Sequence, residues 1–305
     1  MRILIVHNPK SGSGQSALFD YINDLVDSGV EELVIRNILS NKENFEFFKD
    51  AKDFDLIVLS GGDGTLASLN YELKYSDIPV QVFPSGTANL IAQNLNNDHE
   101  PVAMAQAALA LESEYFDMGE LCYTEADGSK TKIGFSMIAG IGFDAKIMQD
   151  SENLKKTMGQ AAYVTAALTN VSPQTATFTL TLDGKVEVVE GIAVLIVNFA
   201  DLAQRISLIN EASPQDGLFH IVVLKAGKTI ELLPSILNAL FETNNRPNFE
   251  IFTAKEVAID SDQALPIQFD GDVIEGASTP FSARVLENAS RFIVDKNSPY
   301  YKKQD

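Results

Sequence analysis

The chain has 305 residues, with 42 acids against 23 bases and a formal net charge of −19. That balance excludes general affinity for nucleic acid, whose phosphates demand a basic surface, and strong electrostatic docking on anionic lipid. Hydrophobic residues make up 45%, ordinary for a globular protein with a core, and the longest apolar stretch, 191–200, is about half of what a bilayer-crossing helix needs.

Residues 2–6 predict an apolar strand that runs into Asn8-Pro9-Lys10, with neither the length nor the cleavage site of a signal peptide. Leu18, Ile22, Leu25 and Val26 at helical spacing predict a helix over 15–28. A strand follows at 32–38, a helix at 44–52, a strand at 55–60, a helix at 66–73, a strand at 80–83 and a helix at 87–95. Strand, turn and helix in repetition predict a parallel α/β sheet. After a helix at 102–111 the texture changes to strands, at 132–138, 175–182, 186–197, 219–224, 256–260 and 267–269. Asp127-Gly128 and Asp183-Gly184 are hairpin-type dipeptides. Helices are expected at 154–168 and 230–240. The boundary between an α/β domain and a β-rich domain falls near 119–123. Cys122 is the single cysteine, which excludes an intrachain disulfide and agrees with a cytoplasmic location.

Three glycine-bearing turns each follow an apolar strand and precede a helix: Asn8-Pro9-Lys10-Ser11-Gly12-Ser13-Gly14, Gly61-Gly62-Asp63-Gly64-Thr65 and Pro84-Ser85-Gly86-Thr87-Ala88-Asn89. Glycine lets backbone N–H groups close on a phosphate, and the helix N-terminus adds unpaired N–H groups and a positive dipole end. One such turn is more often structural than functional. Three on one sheet edge, where ligands of open α/β sheets bind, point to a phosphate site. A carboxylate beside such a cradle, here Asp63, suits a divalent metal or proton transfer. The first turn lacks the Gly-Lys-Ser/Thr ending of a Walker A loop. No Gly-x-Gly-x-x-Gly opens a helix, and no H-R-D or D-F-G occurs.

Gly61-Gly62-Asp63-Gly64-Thr65 resembles the signature shared by diacylglycerol kinases, sphingosine kinases, NAD kinases and, more distantly, phosphofructokinases. Asn8-Pro9 with Ser11-Gly12, and Gly86-Thr87-Ala88-Asn89, resemble the lipid-kinase branch. Phe116-Asp117-Met118-Gly119, Gly140-Ile141-Gly142-Phe143-Asp144-Ala145, Pro214-Gln215-Asp216-Gly217-Leu218 and Asp270-Gly271-Asp272 continue the likeness in order.

The resemblance implies an N-terminal α/β domain with a parallel sheet, of the phosphofructokinase and NAD kinase kind, plus a C-terminal β-sandwich. It implies domains at 1–122 and 123–287, with 288–305 returning to the first and the active site in the cleft between them. ATP and Mg²⁺ are the implied co-substrate and metal. Asn8, Ser11, Gly12, Ser40, Gly61, Gly62, Asp63, Gly64, Thr65, Leu66, Ala67, Gly86, Thr87, Asn89 and Lys156 (beside Lys155) are the implied nucleotide contacts. Asp216 would hold a structural Mg²⁺ with the carbonyls of Ser213 and Leu218. Asp63 or Asp272 would accept the proton of a lipid or other alcohol. Peripheral membrane contact and a homodimer are implied as well, since family members often pair through their second domains. Nothing in the sequence marks an interface.

Three positions depart from the family pattern. Ser68 stands where Glu is usual, Leu90 where Asp or Asn is usual, and Asp272 where Glu is usual. Each removes or shortens a carboxylate, and phosphoryl transfer depends on placement. The readings left open are a lipid kinase, an NAD kinase-like enzyme, and a catalytically impaired nucleotide- or lipid-binding protein.

Overall fold

The computed structural model describes residues 1–11, 15–39, 44–86, 89–97, 100–142, 175–203, 206–207, 209, 212–225, 248–274 and 277–302. The helices expected at 154–168 and 230–240 lie outside these residues. So do Gly12, Ser40, Thr87, Lys155 and Lys156. The chain divides into two compact units, Met1–Met118 with Glu287–Asp305, and Gly119–Leu286.

The first unit is a parallel sheet with helices. In chain order it has β1 (Arg2–His7), α1 (Gln15–Asp27), β2 (Glu32–Asn37), β3 (Leu56–Gly61), α2 (Asp63–Glu72), β4 (Val80–Pro84), α3 (Leu90–Asn94) and α4 (Pro101–Ala110). The strand order is β2-β1-β3-β4, all parallel. Ile3–Val6 and Leu56–Leu59 are fully buried. Burial on both faces is the condition of a central parallel strand, and it explains why these segments read as unbroken apolar runs. On one face Leu18, Tyr21 and Leu25 of α1 and Met104, Ala105 and Ala108 of α4 pack on Ile3, Ile5, Val58 and Phe83. The helix expected at 44–52 is instead two 3₁₀ turns, Asn44–Phe48 and Ala51–Asp53. Between the two turns Arg36 holds the Phe47 carbonyl at 2.5 Å and the Asp50 carboxylate at 2.7 and 2.6 Å.

The second unit is a sandwich of antiparallel strands. After β5 (Ser113–Thr124), which gives residues to both units, come β6 (Lys130–Phe135), β7 (Ile138–Gly142), β8 (Ala176–Leu182), β9 (Lys185–Gly191), β10 (Ala193–Val197), β11 (Asp201–Ala203), β12 (Ile206–Ser207), β13 (Phe219–Leu224), β14 (Phe249–Ala254), β15 (Glu256–Ser261), β16 (Ile267–Phe269), β17 (Asp272–Ile274) and β18 (Ser278–Ile293). One layer holds β18-β15-β8-β9 and the β5–β6 hairpin; the other runs β14-β13-β10-β7-β16-β17. Phe178, Leu180, Val257, Ile259 and Phe281 from the first layer meet Ile141, Ile196, Ile221 and Ile267 from the second in one core. Phe135 stacks on Phe219 at 5.5 Å between ring centres. Gly119, paired with Phe135, has to be glycine, because a Cβ there would lie 2.1 Å from the Phe135 ring.

The single strand expected at 186–197 breaks after Gly191, where the chain changes layer. A Cβ at Gly191 would lie 2.8 Å from the Leu224 carbonyl, to which Ile192 N–H donates. The strand expected at 132–138 divides in the same way into β6 and β7. The end of β18 returns to the first unit, with Phe292 beside Val80 of β4 in parallel register. Among the described residues no helix is long and apolar enough to cross a membrane.

Candidate functional site

The described parts of the three glycine turns, 8–11, 61–65 and 84–86 with Asn89, follow the C-terminal ends of β1, β3 and β4. In the first, Asn8 donates through Nδ2 to the Thr65 hydroxyl at 3.1 Å, and its Oδ1 accepts the Lys10 amide at 3.0 Å. The first loop is thereby tied to the second. Ser11 Oγ is buried and has no hydrogen-bond partner among the described residues. A buried hydroxyl left in that state is costly, and a ligand oxygen would satisfy it.

The second and third loops meet through two glycines. A Cβ on Gly86 would lie 2.6 Å from Gly62 Cα and 3.0 Å from Asn89 Oδ1. Gly62 is the N-cap of α2, so the amides of Gly64 and Thr65 in the first turn have no acceptor within the helix. Asn89 is left-handed, with φ 52°. Its Oδ1 accepts the Gly86 amide at 2.7 Å and its Nδ2 donates to the Gly86 carbonyl at 3.1 Å. The side chain expected to touch nucleotide closes its own loop instead. Asparagine suits the position because it tolerates the left-handed region and bonds locally.

Asp63 opens α2, and its Oδ1 accepts the Ile91 amide at the start of α3 at 3.0 Å. Burial raises its carboxyl above the ordinary 3.8, against the pull of the Ile91, Leu90, Asp63 and Asn89 amides. The carboxylate therefore ties the second loop to the start of α3. Leu66 and Ala67 depart from the sequence expectation. Both side chains are buried, the Leu66 amide is used by the Gly62 carbonyl, and Ala67 lies past the helix's first turn.

Beneath the loops lies a buried polar chain not anticipated from the sequence. His7 Nδ1 is 2.9 Å from Ser60 Oγ, and Ser60 Oγ is 2.5 Å from Ser85 Oγ. Burial lowers the His7 imidazole below its ordinary 6.5. Unfolded chains then bind the proton more readily than folded ones. The stability tied to neutral His7 is full above about 6.5 and is lost as pH falls from there through the lower folded value. In melting curves between pH 7.5 and 5, the parent is expected to lose more stability than His7→Gln. Equal pH slopes would refute it.

Two sites in the second unit also took shape differently. Asp270 and Gly271 are the two central residues of a hairpin joining β16 to β17, both at positive φ, 44° and 96°. That is the twist-matched two-residue turn that Asp-Gly favours. The Asp270 carboxylate accepts the amides of Ser136 at 2.6 Å, Met137 at 2.8 Å and Ile138 at 3.0 Å. The two acids of Asp270-Gly271-Asp272 therefore do not share one cleft. Asp270 is a backbone anchor, and Asp272 is exposed at the start of β17. The turn at 213–218 folds on Asp216, whose oxygens accept the Leu218 amide at 2.9 Å and the Ser213 amide at 3.3 Å. Gly217 supplies the positive φ of 73°. This is the bonding of a turn aspartate. The Ser213 carbonyl, expected as a metal donor, accepts the Asp216 amide at 3.3 Å. Among the described residues, no three or more His, Cys, Asp or Glu side chains stand together, and one carboxylate with two carbonyls would not make such a group.

The family model described as Diacylglycerol kinase catalytic domain matches residues 2–121. The one described as YegS C-terminal NAD kinase beta sandwich-like domain matches residues 137–294. A protein of Staphylococcus aureus (strain Newman) named "Putative lipid kinase" is 23% identical over 257 residues, 80% of this chain and 78% of that protein. Among solved structures, a diacylglycerol kinase from Bacillus anthracis str. Sterne has a TM-score of 0.76 at 22% identity and covers 97% of both chains. Yeast NADH kinase complexed with NADH has a TM-score of 0.57 at 12% identity, covering 98% of this chain and 85% of its own. At these identities the two structural likenesses speak to fold alone.

Proposed function

The chain belongs to the lipid kinase-like family that joins a diacylglycerol kinase catalytic domain to a YegS-type C-terminal sandwich, and from that premise we propose that it transfers the γ-phosphoryl group of ATP to a lipid hydroxyl such as that of diacylglycerol. The observation that carries the reading is the junction of the three strand-end loops in their described residues, with Asn8 tied to Thr65 and Gly62 in backbone contact with Gly86. Such a surface offers N–H groups and a helix N-terminus where phosphates need them.

The Gly61–Thr65 turn takes the nucleotide phosphates, and Ser11 Oγ and the first-turn amides of α2 supply donors. Mg²⁺ accompanying ATP neutralises charge on the transferring group. Asp63 is the carboxylate placed to serve that metal or the proton. Asp272, exposed on the second unit, takes the proton of the acceptor hydroxyl in the reading drawn from the family pattern. Asp216 as the holder of a second, structural Mg²⁺ stays part of the proposal, although its turn is already closed by amides. A lipid acceptor implies transient contact with a membrane surface, and the acidity of the chain makes that contact weak electrostatically.

Asp63→Asn separates two roles. The amide oxygen still accepts from Ile91, but the charge is gone. Turnover is expected to fall about a hundredfold or more, with melting unchanged. Asp272→Ala is expected to lower turnover strongly, and Asp272→Glu to preserve it. Rates at saturating ATP decide both. A folded, fully active Asp63→Asn would remove Asp63 from the chemistry. Equal rates for alanine, aspartate and glutamate at 272 would remove Asp272.

A further inference from the structure

His7 and Ser60 lie at the ends of β1 and β3, just before the first two loops of the cradle, and Ser85 follows β4 as the second residue of the third. His7 precedes Asn8, Ser60 precedes Gly61, and Ser85 precedes Gly86. All three are buried, at 7%, 0% and 1% exposure. Their side chains form one continuous chain, imidazole to hydroxyl to hydroxyl, at 2.9 and 2.5 Å. His7 and Ser60 are also direct partners across β1 and β3. Polar groups buried this deeply are costly unless paired, and a fully paired network fixes a unique arrangement.

We propose that His7, Ser60 and Ser85 are a positioning relay that sets the spacing of the three phosphate-binding loops from below. The inference rests on the nucleotide reading given above. It assigns these residues no contact with ATP. The upper ties between loops are Asn8 to Thr65, Gly62 against Gly86, and Asp63 to Ile91. The relay is the lower tie, and Ser60 is its middle link. Either imidazole tautomer serves. If Nδ1 carries the proton, it donates to Ser60, which donates to Ser85. If not, Ser85 donates to Ser60, which donates to Nδ1. In both cases Ser60 Oγ is the shared atom, so removing it disconnects both neighbours at once.

That topology gives a test that a simple packing role does not pass. ATP affinity is measured by calorimetry in Mg²⁺ buffer for the parent, Ser60→Ala, Ser85→Ala and the double variant, alongside melting of each. Ser60→Ala is expected to weaken ATP binding about tenfold. Adding Ser85→Ala to it is expected to change affinity less than about twofold, because the link is already broken. Ser85→Thr, which keeps the hydroxyl, is expected to stay within about threefold of the parent. Affinities for both alanine variants within about twofold of the parent, even with lowered melting, would overturn the relay and leave the nucleotide reading standing. So would losses that multiply in the double variant. A folded parent that does not bind ATP would overturn both.

Discussion

Replacing Gly86 with alanine is expected to abolish most nucleotide-dependent turnover while leaving both cores folded. The added methyl would sit 2.6 Å from Gly62 Cα. No side-chain rotation relieves that contact, because the obstacle is backbone, so the second and third loops must part. Displacing a reacting group by about an ångström costs on the order of a hundredfold in rate. Gly62→Ala is the informative partner. Its Cβ would lie 3.9 Å from Gly86 Cα, an ordinary contact, and its φ of −85° suits any residue. The loop's own backbone therefore accepts alanine at 62. If Gly62 is glycine so that phosphate can approach, Gly62→Ala melts like the parent yet loses ATP affinity. Calorimetry and melting curves on the two variants decide it. A fully active Gly86→Ala would mean that the loop spacing is not what catalysis needs.

The second large effect concerns stability. Asp270→Ala is expected to destabilise the second unit by about 3 kcal/mol, since the amides of Ser136, Met137 and Ile138 lose their acceptor and each orphaned N–H costs on the order of 1 kcal/mol or more. Alanine also suits the left-handed φ of 44° less well than aspartate or asparagine. Asp270→Asn keeps an oxygen for part of the set and the local preference for this φ, and is expected to cost about 1 kcal/mol. Denaturant unfolding ranks the three proteins. An alanine variant as stable as the parent would show that the three bonds contribute nothing net.

The first unit was legible because its signals are local. Apolar runs such as 3–6 and 56–59 are buried on both faces, and the glycines of 61–64 mark the strand-to-helix turn in the sequence itself. What could not be read joins residues far apart. His7, Ser60 and Ser85 look like ordinary residues at or just past strand ends, and only the parallel register of β1, β3 and β4 brings them together. Asp270 resembled half of an acidic pair, although the Asp-Gly dipeptide between two short apolar segments is itself a hairpin signal. Its anchoring to 136–138 depends on β16 lying beside β7. β18 is not among the expected strands, and it carries Pro280 and Asn288, residue types that strands disfavour. The strand continues through Asn288 at φ 54°, where its amide is held by the Asp117 carboxylate at 2.8 Å. Asn89 and Asp63 show a further limit. The glycine turns and the family resemblance place both beside the cradle, but do not reveal that the partners of the two side chains are backbone groups of Gly86 and of Ile91 at the start of α3.

The most direct test of the account is incubation of the protein with γ-labelled ATP and Mg²⁺, offered diacylglycerol, sphingoid and phosphatidylglycerol acceptors in parallel with NAD. The account predicts label in a lipid product, lost in Asp63→Asn and Gly86→Ala. Label transferred to NAD, or none transferred to any acceptor by folded protein, would contradict it.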